Sequence, residues 1–253
     1  VLDDIKELLP LESLLDLYCN GDTNEDVTKR LICELALDIY SYKEELKVLN
    51  LAIKYNYPLS KNGLAIILFK LGINNVNIVH DHKSFFHYEI LHQEGKLNMD
   101  NLNDHINGLY EKEFSERMQS NYIKAKLNEI KIAEVKALVS VNPYTSGLKN
   151  LMFAFLETDF QKTRNFYKKA LRDLKHINYY YLEAVYYYAR FLKQNNDKDY
   201  DRLIHYGLNM SIESGYQFRA ESFNHLNDNK QLIKVEHGID TSKLNAYIIK
   251  QSY

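Results

Sequence analysis

The 253-residue chain has few of the residues that interrupt helices or cross-link loops. Nine glycines and three prolines are too few for the many turns of a β-rich fold, so they favour helices joined by short connections. Two cysteines, Cys19 and Cys33, do not make a disulfide framework and fit a reducing cytoplasm. No apolar run approaches the roughly 18 residues that a membrane-spanning helix needs. The sequence therefore predicts an all-α protein of the cytoplasm, without a membrane partner.

Basic charge and phosphate-binding glycine motifs are also lacking. The formal net charge is -2, whereas a domain that grips duplex DNA by itself usually has a clear basic excess. The glycines are too dispersed for a nucleotide-binding loop, and the nucleophile elbow of hydrolases is absent. We therefore predict a binding protein without catalytic residues or cofactor, not an enzyme. The chain opens on Val1 instead of Met, so we expect any DNA-binding domain to lie in a segment upstream of these residues.

The chain does contain an internal repeat near its C-terminal end. Five positions recur at an offset of 40 residues (160 to 200), and each set follows a helical segment with its own apolar stripe. The paired residues are, in order, Phe160 and Tyr200, Thr163 and Leu203, Tyr167 and Gly207, Ala170 and Met210, and Leu171 and Ser211. A period of about 34–47 residues with two amphipathic helices per unit is typical of TPR and HEAT repeats. The sequence thus predicts a superhelical stack of TPR/HEAT-like helical hairpins, whose concave face holds a peptide or a protein.

Breaks in the helical pattern divide the chain into three predicted segments. Residues 1–75 and 76–145 hold N-terminal and middle helical repeats, and residues 146–253 hold the C-terminal TPR-like repeats. In the middle segment, a helix over 84–93 ends before Gly95, and a single long helix is predicted over 114–139. Asn142–Pro143 then interrupts the chain.

Tyrosines crowd one predicted helix more densely than a single buried stripe requires. They are Tyr179, Tyr180, Tyr181, Tyr186, Tyr187 and Tyr188. Tyrosine offers a large contact area and a polar tip, which suits a peptide groove, although packing between repeats explains at least half of these residues. With Asn178 and Arg190 at its ends, this helix is the predicted groove wall. The candidate peptide-binding residues are Asn178, Tyr179, Tyr186 and Arg190.

Two other polar clusters have ordinary explanations. His80, Asp81 and His82 precede His87 and His92, but the spacing lacks the pattern that places two imidazoles on one helical face, so we predict no metal site. A second cluster makes one helix basic: Lys162, Arg164, Lys168, Lys169, Arg172 and Lys175. Contact with phosphate is conceivable there, yet a solvent-facing surface is the usual explanation. The interspersed charges of 124–136 also predict a solvated face.

The order of several segments resembles a known family. The segments are Leu17-Tyr18-Cys19, Glu34-Leu35-Ala36, Tyr167-Lys168-Lys169-Ala170-Leu171, Gly207-Leu208 with Ser211, and Phe223-Asn224-His225-Leu226-Asn227. Over residues 12–250 the chain resembles the arbitrium receptors of Bacillus phages, the AimR type. These are helical-repeat regulators that respond to peptide pheromones.

The resemblance implies a function for each part of such a receptor. An N-terminal helix-turn-helix domain binds DNA, and the repeats bind a short secreted peptide that suppresses a gene governing lysis or lysogeny. Many members are homodimers. The family arginine that grips the peptide falls near Asn178 and a pocket threonine near Tyr186. Two pocket asparagines would lie around 154–157, where this chain has none, which implies a different peptide or none. Arg190 could then bind an anionic peptide terminus.

Three hypotheses follow for function. The first is the ligand-sensing domain of a phage or bacterial transcriptional regulator, in which a communication peptide shifts the population between two states. The second is a helical-repeat adaptor without DNA-binding activity that holds a protein partner on the same concave face. The third is an enzyme on a repeat scaffold, for which the chain offers no site. An upstream helix-turn-helix segment would favour the first, and a native start near Val1 the second.

Overall fold

Every regular element in the described part of the chain is an α-helix. The computed structural model describes residues 85–93, 95–111, 113–175, 178–228, 233–235 and 238–251, with a few positions between 49 and 68. In chain order the helices are α1 (Phe85–Gln93), α2 (Met99–Gly108), α3 (Phe114–Lys126), α4 (Ile132–Ala137), α5 (Pro143–Leu156), α6 (Phe160–Leu174), α7 (Asn178–Gln194), α8 (Tyr200–Glu213), α9 (Gln217–Leu226) and α10 (Thr241–Gln251). The all-α prediction is confirmed for these residues. None of these helices is both long enough and apolar enough to cross a membrane.

Local side-chain chemistry explains where several helices begin. At the start of α5, the Asn142 side chain accepts a hydrogen bond from the Thr145 backbone N–H at 2.9 Å, and the Thr145 hydroxyl accepts one from the Asn142 N–H at 3.2 Å. Pro143 occupies the first turn, where its missing N–H costs nothing. Asp159 caps α6 by accepting from Lys162 N–H at 2.8 Å. The predicted break at Asn142–Pro143 is confirmed.

The single helix predicted over 114–139 is wrong, because the structure divides it into α3 and α4. The backbone of Asn128 has φ of 60°, in the left-handed region, which an α-helix cannot accommodate. Asparagine adopts this conformation more readily than other non-glycine residues, so Asn128 can end α3. The sequence has no glycine at this position from which the end of the helix could have been predicted. By contrast, Gly95 has φ of 67° and closes α1 as predicted.

Helices that follow one another in the chain also pack against one another. The most extensive pairs are α5 with α6, α7 with α8 and α8 with α9, while α3 packs on α5 across the short α4. The two predicted apolar stripes face the core. Phe155 is partly buried against it, and the other members are at most 1% exposed: Leu148, Leu151, Leu182, Val185, Ala189 and Leu192. Gly207 lets α8 approach α9, because a Cβ atom there would collide with the Phe223 ring.

The predicted segment boundaries have different outcomes. The boundary between residues 145 and 146 lies in the first turn of α5, whereas the one between 75 and 76 lies outside the described residues. The predictions for residues 1–48, including Cys19 and Cys33, lie outside them as well.

Residues from the early part of the chain contact its last helix. The backbone N–H of Leu59 donates a hydrogen bond to the Tyr247 hydroxyl of α10 at 3.2 Å, across 188 residues of sequence. Asn50 and Lys54 share the lining of a cleft of about 630 Å³ with Lys243 and Lys250 of α10. The helical array therefore joins a segment near its beginning to one near its end.

Candidate functional site

Four charged side chains from four helices meet in the interior and form what we call the ionic cluster. The cluster consists of Glu89 on α1, Lys126 on α3, Glu183 on α7 and Arg219 on α9. Their side chains are 0%, 4%, 1% and 7% exposed. Charged residues are almost never buried this deeply unless they are paired.

Lys126 and Glu183 are the central members of the ionic cluster. The Lys126 Nζ atom lies 2.8 Å from Glu89 Oε1 and 2.9 Å from Glu183 Oε2, so one ammonium bridges two carboxylates. The Arg219 guanidinium pairs with the other oxygen of Glu183. Two positive and two negative groups balance, and the cluster as a whole is neutral.

Tyrosine hydroxyls surround the ionic cluster and act as neutral donors. Tyr122 donates to Glu183 Oε2 at 2.5 Å, and Tyr179 donates to Glu89 Oε1 at 3.4 Å. Burial raises the pKa of both hydroxyls well above 10, so both remain protonated at physiological pH. The Lys126 ammonium also lies 4.5 Å from the centre of the Tyr122 ring, a cation–π contact.

Competing effects set the protonation of the ionic cluster. Burial by itself raises the pKa of Glu89, but the charge and hydrogen bond of Lys126 outweigh it and the net pKa is lowered. Burial lowers the pKa of Arg219. Because the pKa of a guanidinium is ordinarily very high, Arg219 keeps its positive charge. His92, also on α1, has its pKa lowered by burial and by the Lys126 charge, which favours a neutral imidazole.

Each carboxylate of the ionic cluster has one oxygen that accepts hydrogen bonds and one that does not. Glu183 Oε2 is bonded to Tyr122 and paired with Lys126, and Glu89 Oε1 is bonded to Lys126 and, at longer range, to Tyr179. The other two oxygens, Glu183 Oε1 and Glu89 Oε2, are buried without a hydrogen-bond partner among the described residues, and Glu183 Oε1 forms an ion pair with Arg219.

Three of the four predicted peptide-binding residues share a stripe of α7 with Glu183. Tyr179, Glu183, Tyr186 and Arg190 follow one another at intervals of three or four residues, which places them along one helix face. The fourth residue, Asn178, begins α7, and its side chain lies outside the described part of the structure. We call this row of four residues the α7 stripe.

Each predicted residue of the α7 stripe has a different environment. Tyr179 is 8% exposed and bonded to Glu89. Tyr186 is half-buried, with its ring edge-on to Phe223 at 5.5 Å and the Arg219 guanidinium 4.7 Å from its centre. Arg190 is exposed and forms no ion pair with any described residue. Their assignment to a peptide stays a prediction.

The remaining tyrosines of α7 pack against neighbouring helices. Tyr180 contacts Tyr122 of α3 and Tyr144 of α5, with ring centres 6.0 and 5.4 Å apart. Tyr187 meets Phe155 of α5 at 4.9 Å, and Tyr188 stacks on Tyr167 of α6 at 5.2 Å. These contacts are the inter-helical packing that the sequence analysis offered as the alternative to a peptide groove.

All four members of the ionic cluster were missed as site residues. Lys126 was included in a solvated face over 124–136, which is wrong because its side chain is buried. One signal was available: Glu183 is the single acidic residue of α7 and lies between the core residues Leu182 and Val185. An acid inside an apolar stripe needs a buried cation, but the sequence does not show which one.

The two other polar clusters show no ligand-binding geometry in the described residues. His80 to His82 lie outside those residues, and among the rest no group of three metal-binding side chains is arranged to hold an ion. On the basic helix α6, Arg164 pairs with Asp197 and Asp199 of the loop between α7 and α8 at 3.1 and 2.7 Å. Part of its positive charge is thereby neutralised.

Comparison with known proteins returned no match: no family model, curated protein or solved structure is similar to the chain.

Proposed function

We propose that this chain is the ligand-sensing helical-repeat domain of a transcriptional regulator and that it binds a short peptide along the α7 stripe. The α7 stripe is the observation that carries the proposal. It combines two tyrosines, the Glu183 carboxylate of the ionic cluster and an exposed arginine without an ion pair in the described residues, all on one helix.

The packing order supports a stack of helical hairpins. Helices α5 and α6 form one extensively packed pair and α7 and α8 the next, and the repeated positions Tyr167 and Gly207 are both buried at equivalent places. In hairpin repeats the first helices of successive units line one common surface. In this arrangement α5, α7 and α9 are the first helices of three successive units.

The chemistry of the α7 stripe fits a peptide with a carboxylate. Arg190 offers a planar guanidinium, which can bind a carboxylate through two parallel hydrogen bonds. Because Arg190 is exposed and forms no ion pair with a described residue, it can bind a ligand without breaking an existing ion pair. Tyrosine faces contribute contact area at low entropic cost. A buried ionic cluster adds little stability compared with apolar packing, so its presence beside the stripe favours a role in specificity.

The wider function is proposed from the family resemblance. Peptide binding would shift the regulator between two states and so control the choice between lysis and lysogeny, in the cytoplasm of the host cell. DNA would be bound through a domain outside these residues, and the receptor would act as a homodimer.

Thermal unfolding with and without the short peptide encoded beside this gene tests the proposal. A ligand present at about one hundred times its Kd stabilises the folded state by about 2.7 kcal/mol, which raises the Tm measurably. Arg190→Ala should lower the peptide affinity by about tenfold or more, since a lost charged hydrogen bond is worth about 1.5–3 kcal/mol.

Arg202→Ala on α8 is the matched control, because Arg202 is also exposed and lies on a different helix. It should leave both the Tm shift and the affinity unchanged. Absence of any shift at high peptide concentration would contradict the proposal and place the adaptor hypothesis first.

A further inference from the structure

The outer side of α6 carries a compact group of cations, which we call the α6 basic face. It consists of four residues within about two helical turns: Lys168, Lys169, Arg172 and Lys175. All four are exposed, and intervals of three or four residues place them along one side of the helix. The buried residues of this part of α6 lie on the opposite side: Tyr167, Ala170 and Leu174.

The one acidic residue of α6, Asp173, is held away from solvent. Its side chain is 13% exposed, and its Oδ2 atom accepts hydrogen bonds from Ser146 and Asn150 of α5 at 2.8 and 3.2 Å. Its Oδ1 atom pairs with Arg172 at 3.0 Å. The exposed surface beside Arg172 therefore keeps its three lysines with little compensating negative charge from α6 itself.

Other acidic residues near α6 lie toward its N-terminal half. Glu157 and Asp159 precede the first turn, where the Asp159 side chain caps the helix. Asp197 and Asp199 pair with Arg164, which is one turn before the α6 basic face begins. Positive charge is thus concentrated in the C-terminal half of α6, although the net charge of the whole chain is -2.

The composition of the α6 basic face favours a nucleic acid over a protein or a membrane. Three of its four cations are lysines, and lysine is depleted at protein–protein interfaces. Helices that lie on membranes insert large apolar side chains. The structure describes all of α6, and no large apolar side chain of this helix is exposed.

The same helix lacks the surface that single strands need. Proteins bind single-stranded nucleic acid by stacking its bases on exposed aromatic side chains. The aromatic rings of α6 are stacked on neighbouring helices instead: Phe160 on Phe191, Phe166 on Phe153, and Tyr167 on Tyr188. A row of cations without aromatic rings fits the phosphates on the outside of a duplex.

We propose that the α6 basic face contacts the phosphate backbone of duplex DNA without reading its sequence. Duplex DNA carries one negative charge per about 1.7 Å of its axis, so several phosphates come within reach of side chains spread over about 10 Å of helix. This contact depends on local positive charge and needs no pocket. The choice of DNA over RNA rests on the proposed function as a transcriptional regulator, whereas the choice of a duplex backbone does not.

The first experiment measures how the protein binds a short fluorescent DNA duplex of random sequence across about 50 to 200 mM salt. Four phosphate contacts predict that the logarithm of the affinity falls with the logarithm of the salt concentration, with a slope of about -3 to -4. The variant Lys168→Gln, Arg172→Gln, Lys175→Gln should bind about tenfold or more weakly at the lowest salt. Its slope should be smaller by about one for each removed cation.

The matched control removes three exposed cations from the region after α9, by Lys234→Gln, Lys243→Gln and Lys250→Gln. Because it reaches the same net charge as the α6 variant, it separates the α6 basic face from the charge of the whole chain. It should bind DNA as the wild type does. Equal weakening in both variants would overturn the proposal, and so would the absence of DNA binding by the wild type at the lowest salt.

The Tm of each variant shows whether it folds. If the triple α6 variant does not, Lys168→Gln with Lys175→Gln keeps the ion pair between Arg172 and Asp173 and should still reduce the slope by about two. An unchanged slope in this folded double variant would overturn the proposal.

Two further ligands separate the alternative partners. They are vesicles of equal parts phosphatidylserine and phosphatidylcholine, and an RNA duplex of the same sequence as the DNA. If the α6 variant loses vesicle binding but binds DNA as the wild type does, the proposal is overturned in favour of a membrane surface. Tighter binding of the RNA duplex than of the DNA duplex would overturn the choice of DNA.

Peptide binding and DNA contact can fail separately. If the short peptide encoded beside this gene causes no Tm shift but the α6 variant alone loses DNA affinity, the α6 basic face is supported and the peptide-binding function is overturned. If the peptide raises the Tm equally in the wild type and the α6 variant but neither binds DNA, peptide binding stands and the DNA contact is overturned.

Discussion

Helix α7 joins two interfaces of opposite chemistry. Toward α5 and α6, its contacts are aliphatic side chains and stacked rings, such as Tyr167 on Tyr188 and Phe160 on Phe191, with ring centres 5.2 Å apart in both pairs. Toward α3 and α9, its Glu183 pairs with Lys126 and Arg219, and toward α1 its Tyr179 donates a hydrogen bond to Glu89. Apolar packing gains free energy from buried area in many arrangements, whereas the ionic cluster is favourable in one arrangement only.

This difference separates stability from specificity within one helix. Each aromatic pair contributes about 0.5–1.5 kcal/mol beyond its buried area. The ionic cluster offsets the desolvation of four charges by their mutual attraction and has little net effect on stability. We therefore expect the aromatic interface to hold α7 against α5 and α6, and the ionic interface to determine which helices meet α7.

The largest expected effect comes from Glu183→Gln, which breaks the ionic interface at its centre. Lys126 and Arg219 would lose their shared carboxylate and remain buried with excess positive charge. We expect the free energy of unfolding, measured by urea denaturation, to fall by about 3–5 kcal/mol. Glu213→Gln makes the same chemical change at an exposed site on α8 and should stay within about 0.5 kcal/mol of the wild type. Equal losses in both variants would refute the described cluster.

A combined replacement of the four charges sharpens the comparison, because it converts the ionic interface into an apolar one. The variant carries Glu89→Leu, Lys126→Met, Glu183→Leu and Arg219→Met. We expect it to be as stable as the wild type or more stable by about 1–4 kcal/mol, since no charge is left unpaired. Peptide binding should be lost at the same time. A strongly destabilised protein would show that the cluster contributes stability rather than specificity.

Gly207→Ala tests how tightly α8 and α9 approach each other beside Tyr186. The new methyl group would overlap the Phe223 ring, and overpacking of this kind costs about 1–3 kcal/mol. Gly108→Ala is the matched control, because nothing lies within 4 Å of the methyl group that it adds on α2. Thermal unfolding should show a lowered Tm for the first variant alone, and an unchanged Tm for both would contradict the close approach.

The smallest expected effect is a dependence of stability on pH that comes from the ionic interface. The folded-state pKa of His92 is lowered by burial and by Lys126, so below pH 6.5 the unfolded chain takes up a proton that the folded chain resists. The contribution of His92 to stability should therefore be present above pH 6.5 and be lost as the pH decreases below it. The lowered pKa of Glu89 has the same sign and adds a further loss below about pH 4.5.

His92→Gln should remove the first of these two losses and leave the second. The measurement is the Tm across pH 4 to 8 in buffers of constant ionic strength, with the wild type and the variant compared. If the Tm falls equally in both proteins below pH 6.5, the loss of stability comes from groups outside the ionic interface.

Sequence patterns were sufficient for the apolar interface and insufficient for the ionic one. The apolar stripe of α7 and the break before α5 depend on neighbours a few residues away, and both were predicted correctly. The end of α3 depends on the left-handed backbone conformation of Asn128, and many asparagines in helices do not adopt that conformation. The ionic cluster depends on four helices meeting, so the interspersed charges around Lys126 were indistinguishable from a solvated surface.

The hydrogen bond between Leu59 and Tyr247 has a consequence for how the protein is made and how it unfolds. During translation Tyr247 is added 188 residues after Leu59, so the segment around Leu59 waits for its partner throughout that interval. The hydrogen bond also links two segments that are far apart in the sequence, so local opening of one segment is coupled to local opening of the other.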